Sequence, residues 1–253
     1  MLADSNISPQ AVALRASLKT ALGSNVPLTE VDMFNFYQRL LTASSPLNIW
    51  PGVTQWCRAD MATATTFTDQ IGGLDYTGTC TVTASDSTLN NLQTIGLNGT
   101  QQMTSAISLP NLPTTVLAVV KLGTFAGTQG FILDGGSGLH TCAISANNAS
   151  QVAFANSPTV LVNSSYLTWQ LLRGDYSRNV PGFFDTVSAG VTARPGISCG
   201  PHVTDPGRVM GATNTQQSQW WELIHLVGVP TKWDMALYRN YLDVTTNFGV
   251  LHT

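Results

Sequence analysis

Two glutamates, Glu30 and Glu222, are all that this 253-residue chain carries. Glycoside hydrolysis needs two carboxyl groups about 5–10 Å apart. A β-sandwich glucanase supplies them as Glu-x-Asp-x-x-Glu along one strand, so that alternate side chains face one cleft. Here the two glutamates stand in different segments, and Glu222 has no carboxylate two or four residues further on. A pair of aspartates remains the alternative, but no spacing marks one. The histidines are His140, His202, His225 and His252. No His-x-x-x-His pair suggests a metal, and His225 between Ile224 and Leu226 reads as a structural histidine within a strand. Gly135-Gly-Ser-Gly138 follows a β-like run without a helix signal or a lysine after it, and reads as a hairpin turn. Calcium takes hard oxygen ligands; by type Asp60, Asp69, Asp75 and Asp134 are its candidate ligands, although none shows a one-three-five spacing. The other role open to Asp60 and Asp69 is to hold turns by hydrogen bonds to backbone. Glycan recognition asks for exposed aromatic platforms with polar groups at their rim. Trp220, Trp221, Tyr176, Phe183 and Phe184 are the candidates. Neighbouring strand residues face opposite ways, which would turn one of the two tryptophans outward.

From residue 48 onward, short β-rich runs alternate with turn residues, as a sandwich requires. The clearest runs are Thr114–Leu122, Gly130–Asp134, His140–Ser145, Gln151–Ala155, Tyr166–Leu172 and Glu222–Pro230. A short helix is expected over Thr231–Asp243, with Trp233, Ala236, Leu237 and Tyr241 on one face. Residues 1–46 differ. Ser8, Pro9 and Gly23 punctuate a helix with a stripe that includes Leu14 and Leu18. A second helix from Thr29 carries Phe34, Tyr37 and Leu41. An amphipathic helix cannot bury its apolar face alone. The pair either packs on its own domain or anchors the chain to another, and Leu14, Leu18, Phe34, Tyr37 and Leu41 are the candidate attachment residues.

Charged residues make up only 10% of the chain, against the usual quarter. Gly, Ser, Thr and Asn fill the difference and suit a static, externally displayed domain. A net charge of -3 with scattered lysines and arginines offers nothing to nucleic acid. No apolar run is long enough to span a membrane as a helix, and Met1–Asn6 lacks the basic start of a secretory signal. The four cysteines, Cys57, Cys80, Cys142 and Cys199, form no Cys-x-x-Cys and read either as small buried hydrophobes or as two disulfides.

Several short motifs together carry a family resemblance. They are Trp56-Cys-Arg-Ala-Asp60, Thr68-Asp-Gln-Ile-Gly-Gly73, Ile95-Gly-Leu-Asn-Gly99, Trp220-Trp-Glu222 and the strand and helix that follow, closing on Asn247-Phe-Gly249. This set resembles the laminin-G-like, concanavalin A-like jelly-roll domains common on tailed bacteriophage particles. The resemblance spans about residues 48–250, with Asn98 where the family commonly has Asp. It implies a mainly β jelly-roll sandwich over 48–253, an N-terminal helical attachment or oligomerisation segment over 1–47, and a short closing helix. It further implies a non-enzymatic virion surface protein without a cofactor, as capsid decoration, cement or tail-fibre component. Its partners would be other virion proteins and further copies of itself, a trimer among the options. A carbohydrate-binding receptor adhesin for host surface glycans and a glycoside hydrolase are the alternatives on the same fold.

Overall fold

The short apolar runs become sixteen described strands and two helices in a computed structural model. It describes residues 45–50, 52–107, 114–127, 130–135, 143–155, 160–164, 166–176, 183–187, 194–195, 207–211 and 216–246. The strands are β1 (Val53–Thr63), β2 (Thr66–Asp69), β3 (Tyr76–Gly78), β4 (Thr81–Asp86), β5 (Leu92–Leu97), β6 (Met103–Ser105), β7 (Thr114–Leu122) and β8 (Gly130–Gly135). They continue as β9 (Ala143–Asn148), β10 (Gln151–Ala155), β11 (Val160–Asn163), β12 (Trp169–Tyr176), β13 (Phe183–Val187), β14 (Arg194–Pro195), β15 (Arg208–Met210) and β16 (Ser218–Val227). The helices are α1 (Pro46–Ile49) and α2 (Lys232–Thr246).

The described pairings are antiparallel and run β11-β10-β9-β8-β15-β6-β3-β2-β1-β16-β7-β12-β13-β14, with β4 and β5 branching from β16. One edge of β16 pairs with β7 along its length. The other edge is divided: Ser218–Trp220 meet β5, and Glu222–Leu226 meet β1. β7, β12 and β16 are buried on both faces. That explains why β7 reads as a near-continuous apolar run instead of an alternating one, while β12 and β16 bury Gln170, Arg173, Asp175, Glu222 and His225 among their apolar residues. The core gathers Trp56, Phe67, Tyr76, Leu117, Val119, Leu171, Trp220, Trp221 and Leu223 from both layers.

The expected strands at Thr114–Leu122 and Gln151–Ala155 keep their limits. β12 starts three residues later than expected, because Tyr166–Thr168 form a turn with Leu167 at φ +64°. β16 starts four residues earlier, at Ser218. The N-terminal segment with Leu14, Leu18, Phe34, Tyr37 and Leu41 lies outside the described residues. So do Gly136–Gly138, Cys142 and Cys199. Cys57 and Cys80 are free thiols and buried, as small hydrophobes would be.

α2 begins at a reciprocal cap. The Asp234 amide donates to Thr231 Oγ1 at 3.2 Å, and the Thr231 amide donates to Asp234 Oδ2 at 2.9 Å. This is a capping box with Asp in the third position. The helix then buries Met235, Ala236, Leu237, Tyr238, Tyr241 and Leu242 and leaves Val244 78% exposed. α1 lies against it, with the Trp50 and Tyr238 rings 5.0 Å apart.

Candidate functional site

Three of the sequence motifs converge on one residue, Trp56. Its backbone is tied to the Asp-Gln-x-Gly-Gly turn: its amide donates to Asp69 Oδ1 at 2.9 Å, and its carbonyl accepts from the Gln70 amide at 2.7 Å. Asp69 also accepts from the amides of Ile71 and Leu74, and its own amide donates to Asp75 Oδ1. Gly73 sits in this turn at φ +99°, a conformation that favours glycine. On the other side, the Trp56 indole N–H donates to Glu222 Oε1 at 2.7 Å.

Glu222 is fully buried and accepts two further hydrogen bonds, from the Tyr241 hydroxyl on Oε1 at 2.9 Å and from the Tyr238 hydroxyl on Oε2. Burial pushes its carboxyl above the ordinary range, against the pull of Tyr238, Trp56 and Tyr241 and of the Arg58 charge. Arg58 stands opposite Glu222 in the β1–β16 register. Its guanidinium lies over the Trp56 and Trp221 rings at 5.5 and 5.4 Å and pairs with Asp60 at 2.8 Å. The carboxylate thus clasps β1, β16 and α2. With three donors on it and none of its surface exposed, the carboxyl group holds the three elements together.

The calcium candidates are dispersed and occupied. Asp60 pairs with Arg58, Asp69 and Asp75 hold the β2–β3 turn, and Asp134 accepts from the Gly135 amide on β8. Among the described residues no three His, Cys, Asp or Glu side chains gather as a metal site.

The aromatic platforms call for a correction. Trp220, Trp221 and Tyr176 are each fully buried. The alternation argument fails at the tryptophans because β16 is bulged there. Trp220 pairs with Val120 and Glu222 with Val119, which leaves Trp221 as an extra residue. Such a bulge re-aims a side chain. Trp221 consequently stacks on Tyr241 of α2, the helix its neighbour Glu222 also reaches. Trp220 instead donates to Ser218 Oγ at 2.8 Å. The Tyr176 hydroxyl donates to the Ala143 carbonyl at 3.1 Å inside the sandwich. The Phe183, Phe184 and Trp233 side chains lie outside the described residues.

Two further polar clusters are buried, one of them around the His225 that the sequence reads as structural. His225 Nδ1 lies 2.8 Å from Gln55 Oε1, and burial with the nearby Arg208 charge drives its pKa well below the ordinary value. Arg173 and Asp175 form a bidentate pair at 2.6 and 3.1 Å, joined by the Thr115 hydroxyl. Gly196-Ile-Ser-Cys-Gly200 has the spacing of a nucleophile elbow. It lies outside the described residues.

An open groove of about 440 Å³ lies where the ends of β4, β5, β7 and β16 meet the turn before β12. Its volume falls within the range of small-molecule sites. Asn98 shapes one wall: its Oδ1 accepts from the amides of Thr100 and Gln101 and from the Thr100 hydroxyl. Gln101 in turn reaches Thr81 Oγ1. The buried Gln216 braces the opposite wall through the Gly123 and Gln217 carbonyls. The side chains of Thr83, Gln217 and Gln219 line the groove with no hydrogen-bond partner among the described residues. Leu167 overhangs it, 64% exposed and at φ +64°, with its backbone amide donating a hydrogen bond to the Leu122 carbonyl. A bulky residue in that conformation costs roughly 1–2 kcal/mol. Lys121 is the one charged side chain on the described lining. Sequence reasoning missed this groove: its residues come from separate strands, and neutral amides at unrelated positions leave no motif.

No family model matches the chain, and none of the curated proteins does. Solved structures do share its fold. Botulinum neurotoxin type C, whose cell entry depends on interaction with two ganglioside molecules, matches at TM-score 0.57 and 10% identity, over 78% of this chain and 53% of its own. Domain 4 of AbnA, a GH43 extracellular arabinanase from Geobacillus stearothermophilus, in complex with arabinotriose, matches at TM-score 0.54 and 13% identity, over 74% of this chain and 98% of its own. Trypanosoma rangeli sialidase in complex with sialic acid matches at TM-score 0.56 and 10% identity, over 84% of this chain and 38% of its own. The chain thus spans about half the length of the neurotoxin chain and nearly all of the arabinanase domain. At these identities the likeness establishes the jelly-roll sandwich.

Proposed function

We propose that the chain is a non-catalytic, surface-displayed sandwich that binds carbohydrate in the groove beneath Leu167. The observation that carries this reading is the groove's lining of unpaired side chains, the amides of Gln217 and Gln219 and the hydroxyl of Thr83, with an exposed apolar side chain at its rim. Sugars present hydroxyls in fixed directions around apolar C–H faces, and this lining complements both. The strain held at Leu167 supports a role for it, since such strain concentrates at ligand sites. Glycan-bound complexes among the fold neighbours are consistent with the reading. The absence of catalysis is supported by the engagement of the carboxylates described above in turns, ion pairs and the Glu222 clasp.

The setting we favour is a virion surface, as capsid decoration, cement or tail-fibre component. The motif resemblance to particle-borne laminin-G-like domains and the neutral polar composition support it. Residues 1–44, the part of the expected 1–47 segment that precedes α1, would then attach the domain to other virion proteins or to further copies of itself. A glycan array probed with the full chain, followed by assays for reducing-sugar and ester release on the retained ligands, tests the reading. Retention without turnover is expected. Failure to retain any glycan, or sustained turnover, would overturn it.

A further inference from the structure

Resting on that reading, we infer that the groove selects uncharged glycans, and that Asp86 sets this preference by occupying the one cation on the described lining. A groove binds a sialylated or uronate-bearing glycan most strongly where a free positive group meets the carboxylate. Lys121 is placed for such a contact but is already engaged. Its Nζ lies 3.3 Å from Asp86 Oδ2 and 3.2 Å from Thr88 Oγ1, and it sits over the Trp169 ring at 5.3 Å.

Asp86 is built to stay ionised and in place. Burial pushes its carboxyl up, but the Thr88 hydroxyl and amide and the Lys121 ammonium outweigh it and leave the carboxyl below its ordinary range. Its Oδ1 accepts from the Thr88 amide at 2.8 Å and from the Thr88 hydroxyl at 2.5 Å, which fixes the β4–β5 turn. The Trp169 indole donates to the same Thr88 hydroxyl at 3.1 Å. Lys121 and Asp86 therefore form a closed neutral pair. At Asn98, where the resembling family commonly carries Asp, the wall is neutral as well. Among the described residues an arriving carboxylate would meet no free cation here, and it would face Asp86 across the ammonium. An uncharged sugar meets donors and acceptors that need no counter-ion.

The test uses the full chain and pairs of oligosaccharides that differ only in a carboxylate, such as a neutral galactose-terminated glycan and its sialylated form. Affinities are measured by calorimetry at low and physiological salt. The neutral member should bind about tenfold or more tightly, a ratio that one unfavourable charge contact supplies. Asp86→Asn keeps the oxygen that caps Thr88 and frees the ammonium. It should shift the affinity ratio toward the sialylated glycan in a salt-sensitive way. Lys121→Gln, which leaves Asp86 unpaired, should shift the ratio in the opposite direction. Circular dichroism and melting curves confirm that both variants fold. Preference for the sialylated member by the unmodified chain, or an unchanged ratio in Asp86→Asn, overturns this inference and leaves glycan binding standing. Binding of neither member, nor of any other glycan, overturns both.

Discussion

Glu222 joins β1 and α2 to β16 through one fully buried carboxyl group. Three donors from β1 and α2 end on its two oxygens inside the core. Removing a buried acceptor strands its donors at about 1–3 kcal/mol each. Glu222→Ala should therefore cost about 3–5 kcal/mol or more in urea denaturation, a large share of a typical domain's stability. Glu222→Gln, which keeps one acceptor oxygen, should cost less. If Glu222→Ala unfolds like the parent, the clasp is not structural. Titration gives a second handle. Burial, followed by the Glu222 charge, raises both the Tyr238 and Tyr241 hydroxyls above the ordinary phenol value. A raised pKa gives stability that is full below the unfolded value of about 10 and declines as pH climbs beyond it. Stability should fall above about pH 10, and less steeply in Tyr241→Phe. His225 runs the other way. Burial lowers its pKa, so the unfolded chain takes up a proton below about pH 6.5 while the folded chain resists. Stability should fall as pH drops through that range, and His225→Gln should flatten the slope relative to the parent.

At the scale of elements, α2 closes the sandwich through one face. Leu237 is fully buried and Val244 is 78% exposed. Leu237→Ala should cost about 2–5 kcal/mol, whereas Val244→Ser should change the melting temperature little. Equal effects would mean that the helix does not pack as described. The turn before β12 offers the opposite experiment. Leu167→Gly relieves a left-handed leucine, so stability should rise by up to about 1 kcal/mol once glycine's own entropy cost is counted. Glycan affinity should fall in the same variant. A clear loss of stability instead would make Leu167 a packing residue. These elements also show where sequence reading succeeds. Trp56, Asp69 and Glu222 were legible as motifs because each holds a fixed place in a chain of local hydrogen bonds. Thr231-Lys-Trp-Asp234 carries a Thr-x-x-Asp cap that marks the start of the helix expected over Thr231–Asp243. The bulge at Trp221 carries no local mark, because it arises from register against β7.

At the scale of the molecule, the strands fix a rigid frame and leave the groove at one end of it. A sandwich was legible from residue 48 onward because short apolar runs and turn residues alternate there, and the motif resemblance added the jelly-roll form. The groove was not, because Asn98, Gln101, Lys121 and Gln219 meet only after β5, β7 and β16 have paired. The domain described begins no later than Ser45, since α1 and Trp50 pack on α2. A chain starting at Ser45 should therefore fold cooperatively while failing to join particles if residues 1–44 provide attachment. The most direct test of the central claim is a nuclear magnetic resonance titration of that chain with a neutral oligosaccharide retained on the array. The account predicts saturable shifts confined to the side-chain amides of Gln101, Gln217 and Gln219 and the backbone around Leu167, lost in a Gln217→Ala, Gln219→Ala double variant. Saturable shifts that map elsewhere on the sandwich, or that survive the double variant unchanged, would contradict it.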